Sequence, residues 1–180
     1  MINKLRIGAA SAAFAAALSM TSAAHAADNA DADATAEILS ALTLEVSTGT
    51  LLDFGTMVVS GAGSVTVDPD GTRSACTATN IICSGTTSSP TFDITGGNAN
   101  LDVTVTLPSA ASTLLRVGGT VGNAADEIVL NGFTDDTTAG EVTLDGTGAA
   151  SFDVGGTINL DGSEVPGVYD GTFNVSVAYS

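Results

Sequence analysis

GVYDGTFNVSVAYS, Gly167 to Ser180, is the stretch that decides the fold. Tyr169, Gly171, Phe173, Val175, Val177 and Tyr179 alternate with Asp170, Thr172, Asn174, Ser176 and Ala178. One face is therefore apolar and the other mostly polar, the two-residue period of a half-buried strand. Terminal segments are usually frayed and polar, so a strand of this regularity here points to a role in a sheet.

Working outward, similar runs recur: LTLEV (42 to 46), LLDFGTMVV (51 to 59), SVTV (64 to 67), TFDIT (91 to 95) and LDVTVTL (101 to 107). LLRVGGTV (114 to 121), EIVLNGF (127 to 133), EVTL (141 to 144) and SFDVGGTINL (151 to 160) complete the series. Gly, Asp, Asn, Ser and Pro separate them, a spacing that suits an all-β sandwich or barrel. Only Thr35 to Leu44 has a composition compatible with helix. Alternation through Ala34, Ala36, Ile38, Ser40, Leu42, Leu44 and Val46 favours an extended segment there. VGGTV (117 to 121) and VGGTI (154 to 158) echo each other without matching flanks, which reads as two Gly-bent strands rather than a solenoid repeat.

Lys4 and Arg6, the Ala-rich apolar run Ile7 to Met20 and the small residues around Ala24-His25-Ala26 read as a secretory signal peptide, residues 1–26. No later segment approaches the length of a membrane span. The remainder of the 180 residues suffices for one domain with a real core. All 20 acidic residues lie beyond that cut, with only Arg73 and Arg116 to offset them. Such a surface is soluble and a poor partner for nucleic acid or anionic lipid.

Past residue 26 there is no His, Lys or Trp. Catalysis would have to run on carboxylates alone, as in glycoside hydrolysis, and few aromatics remain to wall a sugar cleft. The composition argues against an enzyme and calls for no cofactor. Cys76 and Cys83 are the only cysteines. Export allows them to pair, whereas zinc would want four ligands from a chain without His. The short loop they close would contribute roughly 2 to 3 kcal/mol on the chain-entropy model. Asp68-Pro69-Asp70-Gly71, Asp145-Gly146, Asp161-Gly162 and Asp135-Asp136 offer oxygen ligands at short spacing. The full calcium loop is absent, and Asp-Gly is a common hairpin turn signal. GGNANLD (96 to 102) is similar to a calcium-binding β-helix repeat but occurs once, and a single copy cannot stack.

Gly167 stands fourteenth from the end and Tyr179 is penultimate, with alternating apolar residues between. That arrangement resembles the C-terminal signature of chaperone-usher pilin subunits. Leu52-Asp53-Phe54-Gly55, after an alternating segment and a Ser-Thr-Gly-Thr turn, resembles the LxFG element of spore coat protein U-type subunits. Taken together, ATAEI, LLDFG, the VGGTI strand and GVYDGTFNVSVAY are also similar to a family of exported bacterial β-domains known only as a domain of unknown function. The coat-type subunits usually carry a cysteine before LxFG, and residues 36 to 50 contain none.

The resemblance implies an immunoglobulin-like, pilin-like sandwich, incomplete until a donor strand fills it. Gly167, Tyr169, Phe173, Val175, Val177 and Tyr179 would border the groove. A periplasmic chaperone fills such a groove first, and the N-terminal extension of the next subunit replaces it at an outer-membrane usher. Here that extension would be residues 27–46, with Ala36, Ile38, Leu42 and Leu44 as donor side chains and 47–180 as the sandwich. The expected function is a structural subunit of a surface fibre, passing through the periplasm to the cell surface and partnered by copies of itself or related subunits. The alternative is a self-contained secreted or surface sandwich with an adhesion or binding role, in which residues 34 to 46 close their own sheet.

Overall fold

The computed structural model describes residues 30–76 and 79–180, so the expected signal peptide lies outside the described residues. Residues 37–180 form one compact unit. Its strands are β1 (Thr43–Val46), β2 (Thr56–Val59), β3 (Gly63–Val67), β4 (Arg73–Cys76), β5 (Ile81–Ser84), β6 (Thr91–Thr95) and β7 (Asp102–Thr106). They continue as β8 (Ser112–Arg116), β9 (Glu127–Asp135), β10 (Glu141–Thr143), β11 (Ala150–Leu160), β12 (Tyr169–Asp170) and β13 (Ser176–Tyr179). The only helical element among the described residues is a 3-10 turn at Ala124–Asp126, whose Asn123 side chain accepts from the Ala125 amide. The fold is all-β and sandwich-like.

The 11-residue strand β11 is the axis of the larger sheet. Its first half pairs β6 from Ala150 to Asp153, and its second half pairs β3 from Gly156 to Leu160, both antiparallel. Along the opposite edge β9 pairs Val154 to Asn159. The handover falls at Gly155-Gly156, where the register with β9 shifts between Gly155 and Thr157. A Cβ on Gly155 would collide with the Val67 carbonyl oxygen, so only glycine lets the β3 backbone come this close. Outward from this axis β1 pairs β6, β4 pairs β3, β8 pairs β9 and β12 pairs β8.

Two smaller sheets, β10-β7-β13 and β2-β5, supply the facing layer. Period-two alternation on β11 sends Phe152 and Val154 into one core with Phe92, Ile94, Val103 and Val105. Ile158 and Leu160 enter another with Val65, Val67, Ile128 and Leu130. Phe133 and Phe173 pack against both cores, with ring centroids 4.8 Å apart. Phe92 stacks on Phe152 at 5.4 Å. Each such fully buried side chain contributes about 1.5 to 3 kcal/mol.

Several local expectations change. β4 and β5 were not legible as strands, because Arg-Ser-Ala-Cys and Ile-Ile-Cys-Ser lack clean alternation; the Cys76–Cys83 disulfide joins them. LLDF is not strand: Asp53 makes a single bridge to Ser88, and regular pairing starts at Thr56. The two VGGT echoes part ways. VGGTI lies inside β11, whereas β8 stops at Arg116 and the next residues turn, Gly119 N–H donating to Arg116 C=O at 2.7 Å. The single strand expected over 169–179 is paired only at its two ends, as β12 and β13.

One ion pair is present among the described residues, and its carboxylate is buried. Asp126, 4 % exposed, takes Arg116 Nε at 2.6 Å, the Thr120 amide at 3.0 Å and Asn123 Nδ2 at 2.8 Å. The Thr120 amide, then the Arg116 guanidinium, hold its carboxyl below the ordinary range. A carboxyl whose pKa is lowered on folding stabilises the fold above its unfolded value, and that contribution is lost as pH falls through the folded value. Asp126→Asn should therefore melt earlier at neutral pH and lose less on acidification than the parent. Thermal midpoints measured at neutral and strongly acidic pH check this; parallel pH profiles for the two proteins would contradict it.

Candidate functional site: an unpaired strand edge

The 167–180 segment crosses from one layer of the sandwich to the other. Its start continues β12: Val117 N–H donates to Val168 C=O at 2.8 Å, and Tyr169 and Asp170 pair Arg116 and Leu115. Gly167 lies against the Arg116 stem, which a Cβ would crowd at 2.9 Å. The Tyr169 hydroxyl sits 2.7 Å from Val165 C=O and 3.1 Å from Ala125 C=O, and burial pushes the phenol pKa up. At the far end β13 pairs β7 from Ser176↔Thr106 to Tyr179↔Val103.

Between these ends, Gly171 to Val175 make no backbone hydrogen bond among the described residues. Two of their side chains are nevertheless committed: Val175 is 7 % exposed, and Phe173 packs against both cores, whereas Thr172 and Asn174 are exposed. The open edge continues along β13. Ser180 N–H donates to Asp102 C=O at 3.1 Å, so residues 176, 178 and 180 face β7. By the alternation of an antiparallel ladder, the N–H and C=O groups of Val177 and Tyr179 point to the other edge, and β13 is the last strand of its sheet. Val177 and Tyr179 side chains face the core.

Charge separates this edge from those of β1, β4, β10 and β12, while β2 and β5 are uncharged as well. β1 places Glu45 opposite Asp93, like charges side by side, and β10 carries Glu141. Charged residues at an edge discourage further strands. β13, Ser-Val-Ala-Tyr, has none.

Tyr179 also closes a latch. Its hydroxyl donates to Ser40 C=O at 2.9 Å and accepts from Asn98 N–H at 2.9 Å, while Asn98 Oδ1 accepts from Ser40 N–H at 2.8 Å. Gly97 makes room: a Cβ there would collide with Leu144 Cδ1 and stand 2.8 Å from Leu42 Cδ2. The latch fixes the segment entering β1. Leu42 and Leu44 pack on the core of their own domain, whereas Ile38 is 92 % exposed and Ala36 is exposed. The four candidate donor side chains are thus divided between core and surface. Ser40, Gly97 and Asn98 had no signal in the sequence, since the contact joins residues 58 and 139 positions apart.

The LDFG motif lies elsewhere. Leu52 and Phe54 enter the core, Asp53 exchanges backbone hydrogen bonds with Ser88, and Asp53 Oδ1 accepts from Gly55 N–H at 2.8 Å. The aspartates with calcium-like spacing cap turns. Asp70 takes Thr72 N–H at 2.9 Å and Oγ1 at 2.7 Å; Asp145 takes the same groups of Thr147, both at 2.7 Å. Asp161 takes both groups of Ser163, and Asp135 both of Thr137. These hydroxyl contacts hold the Asp70, Asp145 and Asp161 carboxyls below the ordinary range. The signal was available: each is Asp followed two residues later by Thr or Ser. No helix among the described residues is long and apolar enough to cross a membrane.

Residues 44–179 match the family described as a domain of unknown function (DUF4402). The match runs from β1 to the latch tyrosine, the span of the paired strands. No curated protein and no solved structure matches the chain.

Tyr179→Phe keeps the ring and removes both hydroxyl contacts. It should cost about 1 to 3 kcal/mol and raise amide exchange at Ser40 and Asn98 selectively. Hydrogen exchange is the measurement, and unchanged protection at both amides would show the latch to be idle.

Proposed function

The chain belongs to the DUF4402 family, and on that premise we propose that it is a structural, non-enzymatic subunit of an exported surface fibre, its copies joined by strand addition. The supporting observation is the stretch from Gly171 to Tyr179, apolar toward the core and with unpaired backbone groups along an uncharged edge. Unpaired N–H and C=O groups along an accessible strand edge are a template for another strand. An incoming strand would supply their partners, each hydrogen bond adding about 0.5 to 1.5 kcal/mol net, and would extend the β10-β7-β13 sheet.

The donor is drawn further upstream than the sequence pattern suggested. Leu42 and Leu44 serve their own core, which leaves Ala36 and Ile38 as the side chains free to enter a neighbour. On this reading the protein passes through the periplasm to the cell surface, with a chaperone covering the open edge until assembly at an usher. One observation favours a second reading, a self-contained surface sandwich with a binding role: β1 already closes the edge of β6 within the same domain.

Two variants separate the readings. Ile38→Asp alters a side chain with almost no contacts at home, so it should abolish polymers seen by size exclusion and negative stain while leaving the melting transition unchanged. Leu44→Asp places a charge on the core and should unfold the domain itself. A parent protein that stays monomeric at high concentration, with Ile38→Asp indistinguishable from it, would sink the fibre subunit and favour the self-contained sandwich.

A further inference from the structure

A polar surface of different chemistry lies at the β3–β4 turn. A shallow, widely open cleft of about 700 Å³ separates that turn from the segment linking β5 to β6. Its polar side chains are Asp70, Thr72, Arg73, Thr86, Thr87 and Ser88, joined by Ser89 and two glycines. No apolar side chain lines it.

The arginine is fixed and uncompensated. Arg73 Nη1 donates to Phe54 C=O and Ser84 C=O, both at 3.3 Å, and no carboxylate lies within ion-pair reach of it among the described residues. Gly55 makes this possible. Its φ is +75°, and a Cβ there would stand 2.6 Å from Ser84 C=O and 3.0 Å from the guanidinium. The LDFG motif therefore shapes the cleft twice: its glycine admits Arg73, and its aspartate holds the Ser88 backbone. The hydroxyls of Thr87 and Ser88 are anchored on Gly71 C=O and Leu51 C=O, each at 2.7 Å, which fixes their lone pairs. The Thr86 side chain is exposed, and its hydroxyl has no partner among the described residues. Asp70 engages Thr72 through Oδ1, leaving Oδ2 available.

We propose that this cleft binds a neutral saccharide. A lining of donors and acceptors of this kind matches vicinal hydroxyls, which both give and accept hydrogen bonds. Charge disfavours ionic ligands of either sign. An anion would meet the field of a chain with 20 acidic and 4 basic residues, and Asp68 and Asp70 on the β3–β4 turn. A cation would meet the guanidinium. With no aromatic platform in the lining, the sugar is held by hydrogen bonds alone, and single-site affinity is on the order of 1 mM. Repetition along an assembly would raise it through avidity. The site does not depend on the strand edge, so it stands for a monomer as well as for a fibre.

The test is amide NMR titration of the folded protein with glucose, galactose, mannose and N-acetylglucosamine, with glucuronate and glucosamine as charged controls. At least one neutral sugar should shift the amides of Thr72, Gly85 and Thr86, and both charged sugars should bind more weakly. Arg73→Gln and Thr86→Val should each weaken binding by about fivefold to tenfold, the value of one good hydrogen bond to the ligand. Thr86→Val should also melt with the parent, which keeps the test valid if Arg73→Gln is destabilised. No shift with any of the four neutral sugars, parental affinity in Thr86→Val, or tighter binding of a charged sugar would overturn the proposal.

Discussion

The structure depends on β11, which pairs along one edge with β6 and then β3 and, from Val154 to Asn159, along the other with β9. A strand with neighbours on either side has its backbone groups satisfied and both faces defined, so β6, β3 and β9 take their positions from it. The bulge at Gly155-Gly156 lets one strand serve two neighbours in series on a single edge. β6 takes the backbone groups before that kink and β3 those after it. The division into two cores follows directly, since residues before the kink face one set of partners and residues after it face another.

The facing layer is built differently. It consists of two separate small sheets, and Phe133 and Phe173 fill the region they share. Phe173 belongs to the segment that leaves one layer for the other, and a chain cannot cross between layers and stay in register with either. The unpaired backbone at Gly171 to Val175 is the geometric result of that crossing. Side-chain burial holds the segment in place while its hydrogen-bonding capacity stays unspent.

Much of this was legible in the sequence where a local period carries the information. Alternation located β1, β3, β6, β7, β9, β11 and the inward face of the 169–179 segment, because a half-buried strand leaves that mark wherever one side meets a core. It could not show that this segment changes partners at Gly171, which depends on where β8 and β7 lie. β4 and β5 were invisible for a related reason. They pair at the margin of the molecule, where Arg73, Ser74, Ile82 and Ser84 need not obey a buried pattern. The LDFG motif was visible as a pattern, but its service to Arg73 appears only when residues 55, 73 and 84 are seen together. The latch of Tyr179 on Ser40 is longer-range still.

The scarcity of basic residues bears on proteolysis. Beyond Arg6, a protease that cleaves after lysine or arginine finds Arg73 and Arg116 and nothing else. Arg73 opens β4 with its guanidinium tied to two carbonyls, and Arg116 ends β8 with its charge held against the buried Asp126. A peptide bond must leave its sheet and become extended in an active site before it can be cut, so digestion waits on local opening of these strands. The same two arginines that fasten loops to the sandwich are thus the only handles such an enzyme has, and each is withdrawn for as long as the sheet stays closed.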